Sequence, residues 1–210
     1  IDQTKVDEDL ADFPVLVKLT SANFDFTEAN DDGYDIRFTA SDGLTLLSYE
    51  REQHDSVSEE AEYWVKVPSV SGTVDTEIYI YYTTTVTADG AEPTNVWNSN
   101  FKSVWHLKDD PNNSTVQDST FVGNDGTKRA AANPAEATGK IGAGQDFEYS
   151  NSDRISISDP VNSNSVDTEV TVEAWIKGES FTIQGDIIWL AKGTIQLFTS
   201  DSGDGRSISG

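Results

Sequence analysis

The stretch Glu77–Tyr82 constrains this chain most, because Ile78, Ile80 and Tyr82 alternate there with Glu77, Tyr79 and Tyr81. A period of two places successive side chains on opposite faces of a strand, a pattern no helix can use. Tyrosines and β-branched residues suit a pleated, half-buried surface. A second strand-like run, Tyr63–Val67, precedes it across a Pro-Ser-Val-Ser-Gly-Thr connection. The two runs predict a β-hairpin with a longer loop over residues 61–84, near the centre of an N-terminal sandwich. Trp64, Ile78 and Ile80 are its expected core residues.

The same punctuation continues in both directions. Phe13–Leu19 reads as a strand, and Tyr34–Thr39 and Leu44–Glu50 flank an Asp42-Gly43 turn. Beyond a loop-like stretch at 85–100, strands are expected at Ser103–Leu107, Gly144–Tyr149, Arg154–Ser158, Val170–Lys177, Asp186–Ala191 and Thr194–Thr199. Their spacing fits a sandwich or jelly roll, and no long segment carries helical periodicity. The expected fold class is all-β, an N-terminal antiparallel β-sandwich plus a partial jelly roll.

Charge narrows the partners. The 210 residues hold 37 acidic and 14 basic side chains, a formal net charge of -23. Residues 1–100 carry 21 acidic and 5 basic groups, which puts a domain boundary near residue 100 and gives units 1–100 and 101–210. So acidic a surface repels phosphate backbones and anionic lipid, so neither nucleic acid nor a membrane surface is an expected partner. It favours hard cations, Ca²⁺ above all. Cysteine is absent, which removes disulfides, thiolate metal sites and a Cys nucleophile. No apolar run is long enough to span a bilayer. The opening IDQTKV has the look of mid-strand sequence, and a processed or trimmed N-terminus is expected.

The blocks DFPVLVKL (12–19), GYDIRFTASDG (33–43), YERE (49–52), AEYWVKVPSVSG (61–72) and DTEIYIYY (75–82) resemble the bacterial and archaeal domain of unknown function 2341, over roughly residues 1–90. Where that pattern usually continues YYGN, this chain has Thr83 and Thr84. The later blocks VWHLKDD (104–110), QDSTFVGNDGT (117–127), GKIGAGQDFE (139–148) and VTVEAWIKG (170–178) resemble the start of a concanavalin A-like, laminin-G-like jelly roll. The resemblance implies a secreted or cell-surface setting and glycan binding or adhesion; its first family has no assigned chemistry. About 110 residues follow the boundary, fewer than such a jelly roll needs. The expectation is therefore a fragment, or a neighbouring chain that supplies the missing edge.

Catalysis finds no motif. His54 and His106 lack a Gly-x-Ser-x-Gly elbow, and Glu169 with Glu173 lack the strand signature of a glucanase. No catalytic residue is assigned. Asp118, Asn124 and Asp125 fall in a long polar connection, and Asp201 and Asp204 in a second oxygen-rich turn. These are the candidate calcium ligands, although turn formation alone explains such residues. Trp97, in a polar connection, and Tyr149 with Asn151, at a strand end, are the candidate glycan contacts; Trp97 is also suited to packing at the domain junction. The expected function is a non-catalytic extracellular module that binds a glycan or a surface protein. The alternative is a structural subunit of a fibre or sheath, assembling with itself by strand sharing and aided by calcium. A glycoside hydrolase stands third.

Overall fold

A computed structural model describes residues 1–109, 111–157, 171–177, 190–192 and 195–197. The expected all-β class holds: among the described residues the only α-helix is α1 (Pro93–Val96). The expected calcium ligands Asp201 and Asp204 lie outside the described residues, as does Glu169.

Strand β1 (Leu10–Thr20) pairs antiparallel with β5 (Glu60–Val70), and β5 pairs on its other side with β4 (Tyr49–Asp55). A second sheet runs in the order β3 (Leu46–Leu47), β2 (Arg37–Ala40), β6 (Ile78–Tyr81). The core lies between the two. Ala61, Tyr63, Val65 and Val67 alternate along β5 and are all buried, facing Phe38 and Leu47 of the second sheet. The Phe38 ring meets Tyr49 and Tyr63 edge-on, with centroids 5.3 and 5.4 Å apart. Such contacts add specificity to apolar burial. The buried Tyr49 hydroxyl donates to the Ile36 carbonyl at 2.6 Å.

The hairpin expected over 61–84 does not form. A strand has two edges, and both edges of β5 are taken by β1 and β4, so β6 crosses to the other sheet and pairs with β2. The connection between them is fastened to the N-terminal segment: Gly72 donates to Asp9 at 2.8 Å, and Thr76 accepts from the terminal amine at 2.7 Å. Alternation fixes which face a residue takes, and the partner strand is a separate matter. The core expectation shifts accordingly. Ile78 and Ile80 pack partly against the core, whereas Trp64 belongs to the opposite face of β5.

The Asp42-Gly43 turn forms as expected. Asp42 accepts from the backbone of Leu44 and Thr45, and Gly43 adopts a φ of +69°. The return strand is short, because after Leu47 the chain passes into the first sheet at Tyr49. Residues 3–5 form a 3₁₀ turn in place of strand.

Beyond residue 100 the strands are shorter. Strands β7 (Thr115–Val116), β8 (Gly126–Lys128) and β11 (Ile155–Ile157) form one antiparallel sheet, and β9 (Ala135–Thr138) pairs with β10 (Ala143–Asp146). Leu190–Lys192 (β12) and Ile195–Leu197 (β13) pair with each other. The strand expected at Ser103–Leu107 reduces to one bridge, Trp105 to Asp118. Residues 171–177 carry no strand, and Trp175 is 69% exposed there.

Candidate functional site

The outer face of the first sheet carries an ionic cluster that sequence reasoning missed. On β5 the residues alternating with the core set are Glu62, Trp64 and Lys66. On β4 the register passes from Arg51 opposite Tyr63 to Gln53 opposite Glu62, so Glu52 is the extra residue of a bulge. A bulge re-aims side chains, and here it gathers Glu50 and Glu52 on the side facing away from the core. Both are buried.

Trp97, His106, Ser119 and Gly142 reach that face, and His106 supplies the counter-charge of Glu50 and Glu52. His106 sits between the two carboxylates, Nε2 at 3.0 Å from Glu50 Oε2 and Nδ1 against Glu52 Oε2. The Ser119 hydroxyl donates to Glu50 Oε1 at 2.6 Å, and the Trp97 indole N–H to Glu50 Oε2 at 2.8 Å. Trp64 donates its indole N–H to Glu52 at 3.2 Å. Next to them Glu62 is held by Lys18 at 2.9 Å and by the backbone N–H of Gly142 at 2.7 Å. Taking carboxylates out of water costs several kcal/mol each unless partners replace the water. Nearly every oxygen of this cluster has one; Glu52 Oε1 has none among the described residues.

Burial alone would push the His106 imidazole down. The hydrogen bonds and charges of Glu50 and Glu52 outweigh it and raise the ring to about 9, so it is an imidazolium at neutral pH. Burial likewise opposes ionisation of Glu50, yet the His106 hydrogen bond leaves its carboxyl below the ordinary value. Chemically, the histidine has no lone pair to offer, since both ring nitrogens face carboxylates. Ser119 donates to Glu50, and among the described residues no hydrogen bond joins its hydroxyl to the ring, so the pair is not arranged as a Ser-His relay. His54 lies on the core side, 2.6 Å from the Tyr63 hydroxyl, and burial lowers its pKa. Beside the cluster opens a cavity of about 400 Å³, whose lining includes Arg51, Asp89, Pro93, His106, Lys108 and Gln117.

Trp97 is 6% exposed, so it cannot serve as a sugar-stacking platform. It is a junction residue, its ring 5.6 Å from Trp64 and 5.1 Å from Phe101. Tyr149–Asn151 forms a 3₁₀ turn far along the chain from it; Asn151 is exposed and its carbonyl accepts from Arg129 at 2.6 Å. Asp118, Asn124 and Asp125 do come together, as a loop clasp. Asp118 accepts from Val104 N, Thr120 N and Asn124 N at 2.8–3.0 Å, and Asp125 accepts from Asp118 N at 2.9 Å. Asn124 spends its amide on Lys102 and Ser103. Among the described residues no three His, Asp or Glu side chains surround a common point for a metal.

A different surface is open. In the second sheet Tyr79 pairs with Thr39, which pairs with Leu46, and Tyr81 pairs with Arg37. On this row Tyr79 is 45% exposed, Tyr81 49%, Leu46 68% and, in the adjoining turn, Leu44 84%, with Thr39 buried between Tyr79 and Leu46. The alternation of 77–82 contained this face, with Tyr79 and Tyr81 on the side opposite Ile78 and Ile80.

No curated protein and no solved structure matches the chain. The expected concanavalin-like second unit is matched by no family. The match that exists begins later than residue 1 and runs past the boundary expected at 100, through the covering segment that carries His106 and Ser119: residues 32–124 match the family described as Domain of unknown function (DUF2341).

Proposed function

We propose that this protein is a non-catalytic module of a secreted or cell-surface protein, and that it binds a neutral glycan on the outer face of the β3-β2-β6 sheet. The observation that carries the reading is the exposed row Tyr79, Tyr81, Leu44 and Leu46 on a chain of net charge -23. Contiguous exposed apolar surface on a soluble domain marks a place of interaction. Tyrosine offers a flat ring for the C–H faces of a sugar and a hydroxyl for its polar edge. Arg37, the cation beside the row, donates to the carbonyls of Tyr34, Ile36 and Ala88, so nothing in the row recruits an acidic sugar. The buried cluster with His106 then has a structural task, holding residues 97–142 on the sheet.

Residues from 101 onward are taken in this proposal as the opening strands of a lectin-like jelly roll, in keeping with the short antiparallel pairs β7–β8, β8–β11 and β9–β10. Assembly by strand addition has less support. The long edge strand β1 carries Pro14, which has no N–H to give, and Asp12 at a φ of +50°. Calcium would have to compete at Asp118 with the backbone donors that hold it. The test is a glycan array probed with and without chelator, using the intact chain and a Tyr79→Ser, Tyr81→Ser variant. Binding to neutral glycans that disappears in the variant is expected; no binding to any glycan sinks the reading. A chelator effect on binding is the result that brings calcium into it.

A further inference from the structure

Lys128, at the end of β8, is a buried charge that the sheet-face site does not use. Its side chain is fully buried. The ammonium meets Asp109 Oδ1 and donates to the carbonyl of Pro134 at 2.9 Å. An ammonium has three donors, and only these two acceptors reach it among the described residues. A lysine in such a place is an expensive ion pair unless the geometry is excellent.

The surroundings are those of a reaction centre in miniature. The same Asp109 Oδ1 accepts from the Gln145 amide at 2.9 Å, and that amide is steadied by the Leu107 carbonyl at 2.7 Å. The exposed Glu136 carboxylate is held at Asp109's own backbone N–H. A nucleophile, a carboxyl whose oxygen it touches, and an amide donor on that same oxygen therefore meet at one point.

We propose that Lys128 and Asp109 join in an intramolecular amide. The Lys128 ammonium passes a proton to Asp109 Oδ1, the oxygen it touches, which leaves a neutral amine beside a carboxylic acid. The amine attacks Asp109 Cγ while the Gln145 N–H holds Oδ1. Collapse of the adduct breaks the Cγ–Oδ1 bond, and Oδ1 leaves as water after taking a second proton from the nitrogen. An ammonium and a carboxylate become an amide and one water, with no oxidant or co-reactant. The bond would tie the 101–109 segment, which carries His106, to the β7-β8-β11 sheet. A covalent tie across a loop lowers the entropy of the unfolded chain, useful to a domain without cysteine.

The experiment is intact-mass measurement of the full chain under denaturing conditions, followed by peptide mapping. The expected mass lies below the sequence value by one water, about 18 Da, and the map contains one branched peptide joining residues 109 and 128. Lys128→Arg and Asp109→Ala restore the full mass, and Gln145→Ala, which removes the donor on Asp109 Oδ1, leaves a larger unlinked fraction. Full mass in the unaltered protein, with cleavage by trypsin after Lys128, overturns the proposal. So does a lost water that maps to an Asp-Gly succinimide at residues 32–33, 42–43, 89–90, 125–126 or 204–205.

Discussion

Raising the pH should weaken this protein in a window set by one side chain. His106 has a folded-state pKa of about 9 against an ordinary 6.5. A raised folded-state value means the native protein holds the proton more tightly, so the stabilisation is full below the unfolded value and is lost as pH rises through the folded one. The whole gap corresponds to about 3 kcal/mol, of which about 1.5 kcal/mol disappears between pH 7.5 and 9. Other groups act outside that window. Burial lowers His54, so its contribution is lost as pH falls through the ordinary histidine range. Burial raises Tyr49 to about 12, and Tyr63 is raised as well, so both begin to matter only toward the ordinary tyrosine value near 10. Glu50, held below its ordinary value, counts at acid pH.

The assay is urea unfolding followed by tryptophan fluorescence at several pH values. Trp64 and Trp97 lie 6.1 and 5.8 Å from the His106 ring and report on its surroundings. His106→Gln removes the titration and is itself destabilising by about 3–5 kcal/mol, because Glu50 and Glu52 stay buried without their counter-charge. Its stability should be flat over the window. A wild-type protein equally stable at pH 7.5 and 9, or an unchanged slope in His106→Gln, would refute the charge assignment.

Three further outcomes are expected. Trp97→Phe keeps the ring packing against Trp64 and Phe101 but removes the N–H donated to Glu50 at 2.8 Å, and should cost about 1.5–3 kcal/mol in the same unfolding assay. Gly142 has a φ of +53°, and a Cβ there would lie 2.7 Å from Glu52 Cγ, so Gly142→Ala should lower the melting temperature by the equivalent of at least about 1–2 kcal/mol. Tyr79→Ser with Tyr81→Ser should change stability by less than about 0.5 kcal/mol per site while abolishing glycan binding; a large fall in melting temperature would mean the tyrosines are structural.

The inward face of the sandwich was legible in the sequence because apolar alternation carries it: Ala61, Tyr63, Val65 and Val67 all went where a period of two sends them. Partner choice was not legible. The return path of β6 depends on β5 having both edges filled, a fact about β1 and β4 that no local pattern contains. The ionic cluster was hidden for a related reason. Glu50, Glu52 and Glu62 occupy the polar positions of strands whose other side is core, which reads as a solvated face. The bulge at Glu52 leaves no mark in the sequence, and His106 is 56 residues from Glu50.

Hydrogen bonds of the buried cluster cross the boundary expected at residue 100, joining Glu50 to His106 and Ser119. A sheet with three buried carboxylates on its outer face is not stable with that face in the open merely because it is polar. Trp64 lies among the carboxylates, and Trp97 closes over them from the end of α1. His106 and Ser119 complete the hydrogen bonding, and the Asp118 clasp fixes both by tying Val104 to Asn124. The chain from β4 to that clasp therefore behaves as one chemical unit. The family match ends at residue 124, whose backbone N–H donates to Asp118 within the clasp. A composition shift near residue 100 marks where the acidic surface thins; the cooperative unit is set by which residues neutralise Glu50 and Glu52, and those lie beyond it.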